Sequence, residues 1–269
     1  MRENMREVSN RPWVLITGAS SGIGEVFARR FAREGWNTVL VARSRDKLEL
    51  LASELEKQNG VQTCVIEADL SHESAARSVH QETERRALTI EGLVNNAGSG
   101  ARSKFFETPL DCYVTMIHLN TRALMELTHL YGKEMVVRKT GLIINVSSTA
   151  SFQPMPYTAV YAATKAFVTS FTEAVWLEVR GTGVRVLNLC PGLTKTSFGI
   201  AYGHHDFRDD PFAQKPEEVV DAAFRALRGN RPTVISGFRN RLLYHLERLT
   251  PHRLLLFVLP WVQMLRKRV

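Results

Sequence analysis

The sequence predicts one α/β domain built on a single, doubly wound parallel sheet of about seven strands. Apolar runs rich in Val, Ile and Leu alternate with longer stretches of helical period, as in a sheet covered by helices on both faces. No repeat or low-complexity linker interrupts this alternation before about residue 238, and 269 residues with 44% hydrophobic content suffice for a full core. We therefore expect a main domain over residues 1–238 and a basic, apolar helical extension over residues 239–269.

Seven short apolar segments are predicted as the strands: Trp13–Thr17, Thr38–Ala42, Thr63–Glu67, Gly92–Asn95, Leu142–Ser147, Val184–Leu189 and Pro232–Ile235. Helices are predicted between them, near residues 22–34, 45–58, 72–87, 109–137, 157–180 and 216–228. Right-handed crossovers would wind these elements into one sheet. The irregular stretch 193–215 follows a strand, where we expect an active-site lid.

The basic residues are concentrated at the C-terminal end of the chain. Ten of the 35 Lys and Arg residues lie between Arg225 and Val269, with Glu247 as the one acid, so the rest of the chain is nearly neutral. This distribution argues against nucleic-acid binding by the main domain. The extension, divided at Thr250-Pro251, has three alternative roles: packing on the main domain, a dimer contact, or peripheral contact with a membrane. Its apolar run Leu254–Val262 is too short to cross a bilayer.

Metal binding and secretion are not expected. The three cysteines are widely spaced: Cys64, Cys112 and Cys190. They lack the spacing of a zinc site or a redox motif. His204, His205 and Asp206 resemble a metal cluster, but adjacent side chains in a loop rarely converge on one ion. The charged N-terminus contains no apolar stretch of signal-peptide length, which favours a cytoplasmic protein.

A glycine-rich turn follows the first predicted strand directly. Its candidate cofactor-binding residues are Gly18, Ser20, Ser21, Gly22, Ile23 and Gly24. Glycines let the backbone approach a pyrophosphate closely, and the N-terminus of the following helix supplies free N–H groups and the positive end of its dipole. The spacing is GxxxGxG, not GxGxxG, and a purely structural turn is the alternative interpretation.

The end of the second strand indicates which dinucleotide would bind. An NAD site normally has Asp or Glu here for the ribose 2′-hydroxyl, whereas this chain has Arg43 followed by Ser44. A guanidinium can bind a 2′-phosphate through two N–H groups and stack on adenine. The pair favours NADP(H), with coverage of the sheet edge as the alternative role for Arg43.

Candidate catalytic residues follow two later strands. Tyr161 and Lys165 are four residues apart in a predicted helix and share one face. The ammonium would lower the phenol pKa from its usual value of about 10. Ser148 lies at the carboxyl end of the fifth predicted strand, at the edge where ligands bind. Asn120, in mid-helix, is either an exposed or capping amide or the anchor of a proton-relay water.

Together these motifs resemble the short-chain dehydrogenase/reductase family over roughly residues 12–235. The matching motifs are Thr17-Gly18-xxx-Gly22-x-Gly24, Asn95-Asn96-Ala97-Gly98, Asn120, Ser148, Tyr161-xxx-Lys165 and Pro191-Gly192-xxx-Thr196. The glycine spacing is similar to that of the non-extended branch, and the overall pattern with its arginine-rich tail is similar to the bacterial DltE-type reductases.

The resemblance implies a Rossmann-type fold and an NADP(H)-dependent oxidoreductase that interconverts a carbonyl and a secondary alcohol, chiefly by ketone reduction. It implies that Tyr161 donates the proton, that Lys165 lowers its pKa and holds the nicotinamide ribose, and that Ser148 polarises the carbonyl. Asn120 would hold a water. Further cofactor contacts are implied for Asp69, Leu70, Asn96, Ala97, Gly98, Pro191, Gly192, Thr194 and Thr196.

The sequence leaves the substrate and the assembly open. A hydrophobic ketone, a β-ketoacyl thioester carried by an acyl-carrier protein, and a steroid- or retinoid-like molecule all fit, with Tyr157 interpreted as a pocket wall. The family resemblance implies a homodimer or homotetramer formed through the helices near 109–137 and 157–180. The rival functions are a non-catalytic NADP(H)-binding regulator and a membrane-surface module that uses the basic tail.

Overall fold

Seven parallel strands form one sheet in the order β3-β2-β1-β4-β5-β6-β7 in this computed structural model, which describes residues 11–201, 207–251 and 253–257. The strands are β1 (Trp13–Thr17), β2 (Asn37–Ala42), β3 (Thr63–Glu67), β4 (Ile90–Asn95), β5 (Gly141–Val146), β6 (Val184–Cys190) and β7 (Thr233–Ile235). The predicted fold class is confirmed, because every predicted strand is present and its ends lie within two residues of the prediction.

Helices cover both faces of the sheet. They are α1 (Gly22–Arg33), α2 (Arg45–Asn59), α3 (Ala75–Arg85), α4 (Leu110–Ile117), α5 (Leu124–Arg138), α6 (Ala159–Glu178), α7 (Phe198–Ala201), α8 (Pro216–Arg228) and α9 (Phe238–Leu249). Alternate residues of β1 enter two separate cores: Val14 and Ile16 pack under α1, α2 and α8, and Leu15 packs under α3 and α5. Burial on both faces accounts for the continuous apolar runs of the strands.

The helix predicted near residues 109–137 is not one continuous α-helix. α4 and α5 are joined by a π-helical turn, His118–Ala123, and the fully buried Asn120 lies within it. Such turns insert one extra residue into a helix and often mark functional sites. The predicted helical range is present, but the sequence did not reveal the π-helical turn, because one inserted residue hardly changes the apolar periodicity.

Three buried asparagines are paired in register on β4, β5 and β6: Asn95, Asn145 and Asn188. Asn95 Nδ2 donates to Asn145 Oδ1 (2.9 Å), and Asn145 Nδ2 donates to Thr172 Oγ1 in α6 (3.1 Å). Because buried amides require hydrogen-bond partners, this ladder fixes how α6 lies on the centre of the sheet.

The C-terminal extension begins with α9, which ends before Thr250-Pro251 as the sequence predicted, and residues 253–257 are again helical. One face of α9 packs on the rest of the molecule: Asn240 Nδ2 donates to the Ser236 carbonyl (2.8 Å), and the Tyr244 ring lies 4.4 Å from that of Phe152. The domain boundary at residue 238 stays a prediction. None of the helices within the described ranges is long and apolar enough to cross a membrane.

Candidate active site

The carboxyl ends of β1, β4, β5 and β6 lie side by side at one edge of the sheet, because these strands are parallel neighbours. The four segments that leave this edge contain most of the residues selected from the sequence. They begin at Gly18, Asn96, Ser147 and Pro191. The order of the strands therefore brings together motifs that are far apart in the chain.

The glycine turn after β1 is closely packed against the segment after β4. Gly18 and Gly22 have positive φ angles of 65° and 60°, and a Cβ on Gly24 would collide with the Gly18 carbonyl oxygen and with Asn96 Nδ2. Asn96 Nδ2 donates to the Thr17 carbonyl (3.0 Å). A side chain would thus fill the turn, which fits a cradle for a pyrophosphate at the N-terminus of α1.

The segment after β6 meets the same turn. A Cβ on Gly22 would lie 2.9 Å from Thr196 Cγ2. Thr194 is buried, and Lys195 N donates to the Gln214 carbonyl (2.8 Å), which ties the start of the lid region to its end. Residues 202–206 of the predicted lid, which include His204, His205 and Asp206, lie outside the described residues.

Two exposed side chains, Arg43 and Ser44, follow β2, and Asp69 follows the neighbouring β3. Asp69 Oδ1 accepts hydrogen bonds from the backbone and hydroxyl of Ser71 (3.0 and 2.7 Å). Burial alone would raise the pKa of Asp69, but these bonds and the charge of Arg43 hold it below its usual value. This end of the sheet edge therefore presents an exposed guanidinium close to an ionised carboxylate, and the next residue, Leu70, is buried.

Ser148 and Tyr161 are in contact through their hydroxyls. Ser148 caps a 3₁₀ turn, Thr149–Phe152, and its Oγ accepts from Ala150 N (3.1 Å), which leaves the hydroxyl proton for Tyr161. Burial raises the pKa of Tyr161 to about 12, although the hydrogen bond with Ser148 acts in the opposite direction. In the protein alone the pKa of Tyr161 therefore shifts opposite to the predicted lowering, because desolvation outweighs the hydrogen bond with Ser148.

Lys165 places its amine beneath Tyr161, not on its hydroxyl. Nζ lies 5.9 Å from the centre of the Tyr161 ring and donates to the Val146 carbonyl (2.9 Å). Burial lowers the pKa of Lys165 to about 8, with a small opposing effect from Cys190. The tyrosine is thus a firmly protonated donor at neutral pH, next to an amine that can release or accept a proton there.

Asn120 holds the segment that follows the motif Asn95-Asn96-Ala97-Gly98. Its Oδ1 accepts from Ser99 N (2.9 Å), and its Nδ2 donates to the Ser99 carbonyl (2.8 Å) and to Thr164 Oγ1 (3.1 Å). It is neither exposed nor a cap. A Cβ on Gly98 would lie 3.3 Å from Asn120 Oδ1 and 3.5 Å from Lys165 Nζ, so the amide and the amine flank the same glycine.

One aromatic ring lies next to Tyr161, and a hydrogen bond fixes the backbone of Tyr157, the predicted pocket wall. Phe198 in α7, which the sequence reasoning did not select, has its ring 6.0 Å from that of Tyr161. The only signal for it was its place in the irregular stretch after β6. Tyr157 has a strained φ of 66°, and its carbonyl accepts from Ser103 N (2.9 Å), which holds the predicted pocket wall in place.

Three side chains of the kinds that bind metal ions lie together at the opposite edge of the sheet. Within the described ranges, His80, Glu84 and Glu134 bring ligand atoms within 4.8 Å of one another. His80 Nε2 is 2.6 Å from Glu134 Oε1, while Arg138 pairs with the same carboxylate (3.2 Å) and donates to the carbonyl of Ile90, the first residue of β4. The group joins α3 to α5 as an ion-pair cluster away from Tyr161.

Comparison with known proteins shows that this chain is similar to dehydrogenases. A family model described as short chain dehydrogenase matches residues 12–205. The 7beta-hydroxysteroid dehydrogenase of Collinsella aerofaciens is 35% identical over 248 residues, which cover 90% of this chain and 92% of that protein.

Solved structures with similar folds include two dehydrogenases. A short-chain dehydrogenase from Sphingobium yanoikuyae in complex with NADPH has 35% identity and a TM-score of 0.78, over 83% of this chain and 87% of that one. The bulky-bulky ketone specific alcohol dehydrogenase from Comamonas testosteroni has 32% identity and a TM-score of 0.75, over 84% and 86% of the two chains.

Proposed function

This chain belongs to the short-chain dehydrogenase/reductase family, as its motifs predicted, and from this we propose that it reduces a ketone to a secondary alcohol with NADPH, using Tyr161 as the proton donor. The contact between the Ser148 and Tyr161 hydroxyls, with Lys165 beneath, carries the proposal. The three side chains come from the end of β5 and from α6, and they meet at the edge of the sheet where the glycine turn also lies.

The residues around the turn fit NADP(H). Gly18, Gly22 and Gly24 would hold the pyrophosphate, because each has no room for a side chain. Arg43 and Ser44 would bind the 2′-phosphate, and the dinucleotide would then run past Asn96 and Thr196 towards Tyr161. When bound, NADPH supplies the hydride, and the protein supplies orientation and electrostatics.

Each catalytic side chain has a distinct task. Ser148 would donate a hydrogen bond to the substrate carbonyl and stabilise the charge that develops on its oxygen. Tyr161 would give its phenolic proton to that oxygen, and Lys165 would stabilise the resulting phenolate. Asn120 holds the Ser99 segment beside Lys165, where a water could carry a proton to the amine.

A bulky, apolar ketone is the substrate class that we propose. Aromatic residues lie close to the Ser148–Tyr161 pair in space or along the chain. The Phe198 ring is 6.0 Å from that of Tyr161, Phe152 is in the turn after Ser148, and Tyr157 precedes Tyr161 by four residues. The relatives named above include a hydroxysteroid dehydrogenase and an enzyme specific for bulky ketones. A non-catalytic regulator on the same fold would have no use for the complete set of Ser148, Tyr161 and Lys165.

The test is NADPH oxidation against a panel of ketones with the wild type, Tyr161→Phe and Tyr131→Phe. Tyr131 is also a buried tyrosine, but its hydroxyl pairs with Thr83 (2.9 Å) under α3, so this variant is the matched control. We expect Tyr161→Phe to lose about 100-fold or more in kcat, as for the loss of a general acid. Undiminished turnover in Tyr161→Phe would refute the assigned role.

A further inference from the structure

Helix α9 presents an apolar stripe on the side that faces away from the molecule. Its members are Phe238, Leu242, Leu246 and Leu249, whose exposed fractions run from 50% to 82%. They recur every three or four residues and so lie along one side of the helix. The packed residues, Asn240 and Tyr244, lie on the opposite side. Within the part of the chain that the structure describes, the stripe is therefore left uncovered.

Arginines border the stripe on both sides. By helical period, Arg239 lies along one border, and Arg241 and Arg248 lie along the other. Beyond the turn at Thr250, residues 253–257 add further exposed apolar side chains and another arginine: Leu254, Leu256, Phe257 and Arg253. An apolar face between rows of arginine is the pattern of a helix that lies in the plane of an anionic membrane surface.

We propose that the α9 stripe docks this protein on the surface of an anionic lipid bilayer. The leucines would enter the boundary between headgroups and acyl chains, and the arginines would lie at the level of the lipid phosphates. Charge decides between a bilayer and a second copy of the chain. Pairing two copies of the stripe would bring two sets of arginines together against a single acid, Glu247, in each helix.

The position of α9 connects this surface to the active site. Tyr244 packs on Phe152, in the turn that follows Ser148, and Asn240 presses on the backbone of Gly192, where a Cβ would collide with its side chain. Only the thickness of one helix then separates the bilayer from the wall of the cleft. If the proposed function holds, the cleft would receive apolar ketones that are dissolved in the membrane.

Co-sedimentation of the full-length protein with vesicles tests the docking without depending on catalysis. The probes are vesicles of phosphatidylcholine alone and of an equimolar mixture of phosphatidylcholine and phosphatidylglycerol. We expect binding to the anionic vesicles that weakens as salt is added, and much weaker binding to the neutral ones. Equal binding to both kinds of vesicle, or to neither, would overturn the proposal.

Variants of the arginines and of the leucines separate the electrostatic from the apolar contribution to vesicle binding. Arg239→Glu and Arg241→Glu should each weaken binding to anionic vesicles by about fivefold or more, and the double variant Leu246→Glu/Leu249→Glu by more than about tenfold. Leu50→Glu, at an exposed leucine of α2, is the control and should bind like the wild type. Unchanged binding by the double variant would exclude the stripe as the docking surface.

Sedimentation velocity without vesicles tests the alternative that a second copy of the chain covers the α9 stripe. If the double variant Leu246→Glu/Leu249→Glu dissociates a dimer and the wild type ignores vesicles, the stripe is a contact between copies and the proposal fails. Turnover of a water-soluble ketone, measured without lipid, is expected to be the same in the wild type and the double variant. If neither the wild type nor the double variant turned over the ketone, the proposed reaction would be rejected, while the result on membrane binding would stand.

Discussion

At the scale of single residues, burial decides the protonation of the catalytic pair. The spacing of Tyr161 and Lys165 in the sequence predicts that they share a helix face, and they do. It carries no information about how far the pair lies from water, or about the Val146 carbonyl that accepts from the amine. Those facts come from the packing of α6 on the sheet, so the direction of the tyrosine shift could not be predicted.

The buried amine of Lys165 should make the stability of the fold depend on pH. Its pKa is about 8 in the folded chain against 10.5 for an ordinary lysine, so between these values the unfolded chain holds a proton that the folded chain releases. The free energy of unfolding contributed by this group therefore rises with pH across that window. From about pH 7 to about pH 9, the wild type should gain about 1 kcal/mol relative to Lys165→Met.

Urea denaturation of both proteins across this range measures the difference. Comparison with Lys165→Met removes the contributions of groups that titrate in both proteins. Parallel stability curves for the two proteins would mean that the amine keeps its ordinary pKa when folded.

Arg43 should determine the choice between the two nicotinamide nucleotides. Its exposed guanidinium follows β2, beside Asp69, and the sequence alone was enough to select it. Arg43→Ala should weaken NADPH binding by about tenfold or more and leave NADH binding nearly unchanged, since a charge-assisted contact is worth about 1.5–3 kcal/mol. Fluorescence titration with both nucleotides measures this, with Arg45→Ala as the control. An unchanged preference would remove Arg43 from the site.

At the scale of elements, the strands are the part that the sequence predicts best. Their burial on both faces produces continuous runs of Val, Ile and Leu, and such runs are short enough to be strands and not helices. The π-helical turn around Asn120 left only a weak trace, a polar residue in mid-helix, because the packing of Ser99 and Thr164 determines the turn. Phe198 was missed because its helix, α7, has only four residues and lies in an irregular stretch.

The ladder of asparagines makes the centre of the sheet sensitive to substitution. Asn145→Ala would leave the Asn95 amide and the Thr172 hydroxyl without their bonds to the Asn145 side chain in a buried site. We expect a loss of about 2–3 kcal/mol in the free energy of unfolding. Urea denaturation measures it, and Gln58→Ala on the surface of α2 should stay within about 0.5 kcal/mol of the wild type. A similarly small change in Asn145→Ala would contradict the structural role of the ladder.

At the scale of the whole molecule, a further set of exposed apolar side chains lies on the helices that the family resemblance implied for self-association. Exposed apolar side chains occur on α4, α5 and α6: Leu110, Val114, Val136, Val137, Phe167 and Leu177. Large contiguous apolar patches are typical of interaction sites, and we expect one on these helices. The oligomeric state depends on how such side chains meet a second copy, which one sequence does not encode in any local pattern.

We predict that the protein is a homodimer in solution and that Phe167→Glu dissociates it. Phe167 is 43% exposed and stacks on Phe171 with 5.7 Å between ring centres, so a carboxylate there would enter the apolar contact. Sedimentation velocity should show a dimer for the wild type and for Leu50→Glu, and a monomer for Phe167→Glu. A monomeric wild type at all concentrations would contradict the prediction.

The glycine turn that would hold the pyrophosphate tolerates fewer substitutions than the side chains that would bind the 2′-phosphate. Gly18, Gly24 and Asn96 are locked together, so a substitution at one of them disturbs the others. Arg43 and Ser44 stand at an exposed strand end. If Arg43 and Ser44 bind the 2′-phosphate as we propose, a few substitutions there would change the nucleotide specificity while the fold stays unaltered. We therefore expect the coenzyme preference of this protein to change more readily in evolution than its fold.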